Sequence, residues 1–172
     1  MVPIVSIVGK SDSGKTTLLE RIVAELKSRG FRIATVKHDA HSFDIDHEGK
    51  DSWRHKKAGA VITVISSPTK IAVVADTDHD HNLAEIREKF IRGVDLILSE
   101  GYKRESQLKI EVFRSELRKE LLCQADDRLL AIAGDPPDPP HGVPVFDLND
   151  PVPLCDFIVE RVIRKAAKSP GD

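Results

Sequence analysis

Short apolar runs alternate with amphipathic stretches along this chain, and the two periods predict different elements. Ile4–Val8, Ile33–Val36, Val94–Leu98 and Leu129–Ala133 are short and continuous, as strands covered on both faces of a parallel sheet should be. Between them, Thr17–Lys27 sets Leu18, Leu19, Ile22, Val23 and Leu26 on one helical face and stops at Gly30. A charged segment, Leu83–Arg92, and a closing stretch from about Pro153 to Ala167, with Leu154, Phe157, Ile158 and Val162 inward, read as further helices. This alternation predicts a three-layer α/β fold of the P-loop NTPase type, with a mostly parallel sheet.

One segment departs from that alternation. Val61–Ile65 and Ile71–Ala75 flank Ser66-Ser67-Pro68-Thr69-Lys70, the pattern of a β-hairpin. It is expected as an insertion over residues 60–76 of a single nucleotide-binding domain spanning 1–172. A hairpin added to a parallel sheet offers an edge that a second copy can extend, so a homodimer is the expected assembly. The run Asp135-Pro136-Pro137-Asp138-Pro139-Pro140 reads as a stiff loop, because proline cannot donate to a ladder.

Composition narrows the function classes. The 172 residues carry 26 Lys and Arg against 28 Asp and Glu, so no general electrostatic attraction to nucleic acid or anionic membrane is expected. Cys123 and Cys155 lie far apart without C-x-x-C spacing, which argues for buried thiols rather than a disulfide framework or cysteine zinc site. No stretch approaches the ~20 apolar residues of a membrane span, and no signal peptide is read at the N-terminus, so a cytoplasmic location is expected.

The candidate chemistry centres on Gly9-Lys10-Ser11-Asp12-Ser13-Gly14-Lys15-Thr16, which follows the first apolar run and fits G-x-x-x-x-G-K-[ST] at every required position. A loop of small residues lets backbone N–H groups surround phosphate, and the helix beginning near Thr17 adds its positive end. Lys15 is expected on the β/γ-phosphates and Thr16 on Mg²⁺. Lys10 sits where some dimerising P-loop ATPases carry a lysine that reaches a partner's phosphate.

Glu100, at the carboxyl end of the third apolar run and followed by Gly101, is the candidate acidic residue of the metal shell and of catalysis. Asp95, near the start of that run, is expected to face away from the ligand. The second run ends in Lys37-His38-Asp39 and leads through His41, Asp44, Asp46, His47 and Glu48 to Lys50. Asp39 or Asp46 is the candidate contact for the metal shell or attacking water, while Lys37, His38 and Lys50 would meet anionic substrate groups. A His41/His47 metal site fits no familiar zinc spacing. The Asp76–His81 run reads as a solvated connection. No N-K-x-D motif is present; Asp135, just past the fourth run, is the candidate acceptor for guanine N1 and N2 donors.

Taken together, the segments resemble the molybdopterin-guanine dinucleotide biosynthesis adaptor family of the MobB type. The similarity runs through the phosphate loop, Val36–Asp39 into Phe43–Asp46, Gly49–Ser52, Lys57–Ala60, Asp95–Lys103, Lys109–Val112 and Ala131–Asp135. The Gly-Lys-Asp-Ser segment followed by Lys-Ala-Gly-Ala, with the later Glu-Gly-Tyr-Lys, is its most specific part. The resemblance implies a GTP- and Mg²⁺-binding, weakly hydrolysing homodimer that pairs through the hairpin. Its implied partner is the molybdenum cofactor guanylyltransferase, which it would assist in joining GMP to molybdopterin; molybdopterin itself or a molybdoenzyme is a further candidate partner.

Two other classes share parts of the pattern. The Glu-Gly element also resembles dethiobiotin synthetase-like enzymes, which leaves a small-molecule kinase or ligase open. The histidine-bearing loops leave a metallochaperone GTPase open. Hydrolysis is expected to be slow, since an unassisted P-loop GTPase turns over at about 10⁻⁴ to 10⁻² s⁻¹.

Overall fold

The computed structural model describes residues 1–39, 45–117, 120–124 and 128–168. The chain divides into two compact units, one made of residues 1–38 with 82–172 and the other of residues 39–81.

The first unit is built on a six-stranded sheet. Its strands are β1 (Ile4–Val8), β2 (Ile33–Lys37), β5 (Leu96–Glu100), β6 (Leu108–Phe113), β7 (Leu129–Gly134) and β8 (Val145–Phe146), all paired in parallel in the order β2-β5-β1-β6-β7-β8. Strand alternation sorts the core into layers. Val5 and Ile7, Leu96 and Leu98, Ile110 and Val112, and Ala131 and Ala133 point to one face, where they meet α1 (Lys15–Ser28) and α4 (Pro151–Ile158). Ile4 and Ile97 point the other way and pack with Leu83 of α3 (Leu83–Phe90). Both faces are therefore covered, which is why the strands read as apolar runs. The buried hydroxyls of Ser6 and Ser99 satisfy one another at 2.8 Å across β1 and β5.

Helix ends follow local chemistry. After α1, the Gly30 N–H donates to the Lys27 carbonyl and the Phe31 N–H to the Leu26 carbonyl, while Gly30 takes φ 88°, a glycine-dependent stop. Arg29 at that stop pairs with Glu25 at 2.8 Å and with Asp156 of α4 at 2.6 Å. Asn82 and Glu85 cap α3 reciprocally. Asp150 accepts from the Val152 N–H at the start of α4. The closing helix runs from Pro151 to Lys168, two residues earlier than its apolar periodicity indicates, and a π-turn at Val159–Ile163 separates α4 from α5 (Arg164–Lys168).

Three differences from the sequence expectation matter. The third apolar run forms a strand over Leu96–Glu100, two residues later than Val94–Leu98, because Asp95 is occupied before the strand begins. Its N–H donates to the Arg32 carbonyl, and its carboxylate accepts the Arg32 N–H at 2.7 Å. Strand β6 was not expected, since Lys109 and Glu111 give it the alternation of a half-solvated segment, yet both are buried. Glu111 is compensated by main-chain donors, the N–H groups of Leu122 at 2.6 Å and Cys123 at 2.9 Å. The short β8 carries too few residues to register as a pattern.

The second unit contains α2 (Asp51–Lys57) and an antiparallel pair, β3 (Ile62–Ser66) and β4 (Ile71–Ala75). Ser67 closes the turn, its N–H donating to the Lys70 carbonyl and its hydroxyl accepting the Lys70 N–H. The Lys56 ammonium ties α2 to the hairpin through the Ala60 and Val61 carbonyls and Asp76. Helix α2 was not among the elements the sequence predicts. No helix of the described residues is long and apolar enough to cross a membrane.

Candidate functional site

The loop Gly9–Thr16 connects β1 to α1 at the carboxyl edge of the sheet. Its course depends on glycine. Gly9 has φ 152°, and a Cβ there would lie 2.6 Å from the Val112 carbonyl oxygen. Asp12 and Gly14 have φ 67° and 94°, and left-handed residues in a turn are the backbone ingredient of an anion-binding nest. Helix α1 then begins with no side-chain cap and no acidic residue in its first turn. Its orphan N–H groups and positive dipole end are thus left for an anion. The Ser13 hydroxyl is buried without a hydrogen-bond partner inside this loop, and the Lys15 ammonium folds back onto the Lys10 carbonyl at 2.8 Å.

Parallel register brings the acidic candidate to the loop. Glu100 pairs with Ile7 of β1 and with Lys37 of β2, which places its carboxylate 3.2 Å from the Thr16 hydroxyl through either oxygen. A hydroxyl and a carboxylate held together beside the Gly9–Thr16 loop form an oxygen donor set of the kind Mg²⁺ takes. The segment beyond is tightly shaped. Gly101 has φ 100°, and a Cβ there would meet the His38 Cβ at 2.9 Å. Tyr102 follows with φ 45°, its ring 4.6 Å from that of His38. The His38 N–H donates to the Glu100 carbonyl. Asp95 lies at the other end of β5, and its bond from the Arg32 N–H holds its carboxyl below the usual range.

On the other side of the loop, β6 and β7 end beside one another. Gly134 has φ 142°, and a side chain there would run into the Phe113 carbonyl. This close approach sets Asp135 against Ser115, whose N–H donates to the carboxylate at 2.9 Å and whose hydroxyl donates to its second oxygen. Those bonds hold the Asp135 carboxyl below its ordinary value, with a smaller contribution from the Arg114 charge. Arg114, Ser115, Asp135, Asp147, Leu148 and Asn149 line a cleft of about 400 Å³. Arg114 donates from Nε to the Ser13 carbonyl at 3.1 Å, so this cleft adjoins the Gly9–Thr16 loop. Sequence reasoning missed Arg114 because it follows β6, a strand that was not among the predicted elements.

The first unit therefore carries Gly9–Thr17, Lys37, His38, Glu100 and Asp135, and the second carries Asp39, Asp46 and Lys50. Within the second unit, Asp46 and Lys50 line a hollow with His55 and the β3 residues Thr63–Ser66. Asp46 accepts the His47 N–H, and Lys50 precedes α2 with extended backbone. His41 lies outside the described residues. In the Asp76–His81 run, which is largely exposed, His79 stacks on His81 at 4.3 Å. His79 also holds the Asp78 carboxyl below its usual range.

The sequence model of a family described as molybdopterin guanine dinucleotide synthesis protein B (MobB) matches residues 4–135. The molybdopterin-guanine dinucleotide biosynthesis adapter protein of Haemophilus influenzae is 37% identical over 158 residues, covering 91% of this chain and 88% of that protein. Its namesake from Escherichia coli is 36% identical, covering 93% of each. Among solved structures, Bacillus subtilis MobB aligns with a TM-score of 0.70 at 27% identity, covering 92% of this chain and 97% of that one. A crystal structure titled molybdopterin-guanine biosynthesis protein B aligns at 0.69 with 30% identity, covering 92% and 97%.

Proposed function

The chain belongs to the MobB family, and from that premise we propose that it is a GTP-binding adapter in molybdenum cofactor biosynthesis. In this reading it assists a guanylyltransferase in joining GMP to molybdopterin. The observation that carries the nucleotide part is the meeting of Thr16 and Glu100 at the mouth of an uncapped α1. Phosphates would take the loop N–H groups and Lys15, Mg²⁺ would take Thr16 and the Glu100 shell, and guanine would take Asp135. Lys37 and His38, at the end of β2, would face whatever is brought to the phosphates. In the second unit, Asp39 or Asp46 is the candidate for the metal shell or attacking water, and Lys50 for anionic substrate groups.

Bound nucleotide, rather than rapid turnover, is the working state of such an adapter, and hydrolysis is slow. The homodimer is proposed on the hairpin, where Ile62, Val64, Ile65, Ile71 and Val73 are all exposed in the single chain. An apolar two-stranded sheet of this kind gains by pairing with a second copy.

Calorimetric titration with GTP and with ATP, each with Mg²⁺, tests the reading beside a Lys15→Ala control. Preference for GTP that the control loses, followed by increased yield of guanylated cofactor when the protein joins transferase and GTP, is the expected result. Preference for ATP with phosphorylation of a small molecule would replace it by the kinase or ligase reading.

A further inference from the structure

Arg114 stands at the junction between the phosphate loop and the cleft that holds Asp135. Its Nε donates to the Ser13 carbonyl at 3.1 Å, and one terminal nitrogen pairs with Glu116 at 3.3 Å. The other terminal nitrogen, Nη2, would lie 3.4 Å from a Cβ on Gly14. These hydrogen bonds are made in the guanidinium plane, so they fix the group's orientation without using its flat faces. The same side chain lines the cleft together with Asp135, whose carboxylate is held by Ser115. The wall formed by Leu148 and Asn149 is tied to α1, because Arg21 donates to both of their carbonyls at 3.4 and 3.3 Å. The cleft is thus anchored once to the loop at Ser13 and once to the helix that follows it.

We propose that Arg114 is a purine-binding residue, its guanidinium plane stacking on the nucleobase while its Nε holds the phosphate loop. A guanidinium is more weakly hydrated than an ammonium and stacks on aromatic rings, so a planar base in the cleft gains both dispersion and cation–π attraction. Asp135 and Arg114 then divide the work. The carboxylate selects guanine through hydrogen bonds in the ring plane, and the arginine contributes affinity for any purine across its face. Because Arg114 also touches Ser13, filling the cleft steadies the loop.

This inference rests on the nucleotide reading above, and the test separates the two. The full chain, Arg114→Ala and Arg114→Lys are titrated with GTP, ATP and tripolyphosphate in the presence of Mg²⁺. Loss of one stacked cation should weaken both nucleotides about five- to tenfold more than tripolyphosphate, since that probe has no base to stack and reads only the lost bond to Ser13. Arg114→Lys should stay weakened, because it keeps the charge and loses the plane. Retained tripolyphosphate binding reports an intact loop in each variant.

Equal losses for tripolyphosphate and nucleotides would make Arg114 a loop clamp only and overturn the proposal. Full recovery in Arg114→Lys, or unchanged nucleotide affinity in both variants, would also overturn it. If the unaltered protein prefers ATP, the guanine reading of Asp135 falls while the contrast between ATP and tripolyphosphate still decides Arg114. If it binds tripolyphosphate and neither nucleotide, both fall.

Discussion

The Thr16 hydroxyl on the first turn of α1 lies 3.2 Å from each carboxylate oxygen of Glu100, a residue 84 positions further along the chain. Strand order produces that meeting. Because β5 lies directly beside β1 and in register with it, the residue that ends β5 stands over the helix that β1 leads into. The same order puts β6 and β7 on the other flank, so acidic and base-reading candidates approach one loop from opposite sides.

Glu100→Gln keeps the shape of the side chain and removes the charge expected to orient the Mg²⁺ shell. Mg²⁺ affinity of the nucleotide complex should fall about 10- to 100-fold, with metal-free nucleotide binding little changed. A Mg²⁺ titration of the GTP complex measures this, and identical metal dependence in the variant would take Glu100 out of the shell.

Asp135→Asn replaces an acceptor-only group with one that also presents an N–H₂ toward guanine donors. Ser115 holds the native carboxyl below its ordinary value, so the carboxylate is ionised throughout the neutral range and GTP affinity should not decline there through its protonation. In the variant, GTP should weaken about tenfold or more relative to xanthosine triphosphate. Competition between the two nucleotides reads the ratio, and a ratio unchanged from the native protein would remove Asp135 from the base site.

The hairpin makes a prediction about assembly. Ile71 and Val73 on β4 are 70% and 52% exposed in the single chain, so the double change Ile71→Glu, Val73→Glu should disrupt a dimer built there and leave the first unit folded. Sedimentation would show the 19.1 kDa monomer for the variant and twice that mass for the native protein. A native protein that sediments as a monomer at tens of micromolar would defeat the hairpin dimer.

Cys155 reports on the core between α1 and α4. Burial pushes its thiol up to about 11 from an ordinary 9.0. The folded state therefore holds the proton more tightly than the unfolded chain does. That contribution is complete below about pH 9 and is lost as pH rises toward 11. Thermal melts across this alkaline range should decline less steeply for Cys155→Ala than for the native protein. Parallel declines would mean that the thiol is not the titrating group.

The sequence by itself determined what contiguous residues can specify. Gly9, Gly14, Lys15 and Thr16 could be read as a glycine turn leading into a helix because that turn and helix start are set by neighbouring backbone. Apolar runs such as Ile4–Val8 and Leu129–Ala133 read directly as strands, since a doubly covered strand leaves little solvent-facing alternation. Even the hairpin was legible, because its two runs and its turn are adjacent.

Tertiary structure decided what depends on partners distant in sequence. Strand β6 was hidden because Lys109 and Glu111 look solvated, and only the N–H groups of Leu122 and Cys123 make a buried Glu111 tolerable. The start of β5 depends on Arg32 capturing Asp95. The approach of Glu100 to Thr16, and of Arg114 to Ser13, depends on which strands lie side by side. Local periodicity carries burial and turn chemistry, whereas strand neighbours and the compensation of buried charge come from long-range pairing that no short stretch encodes.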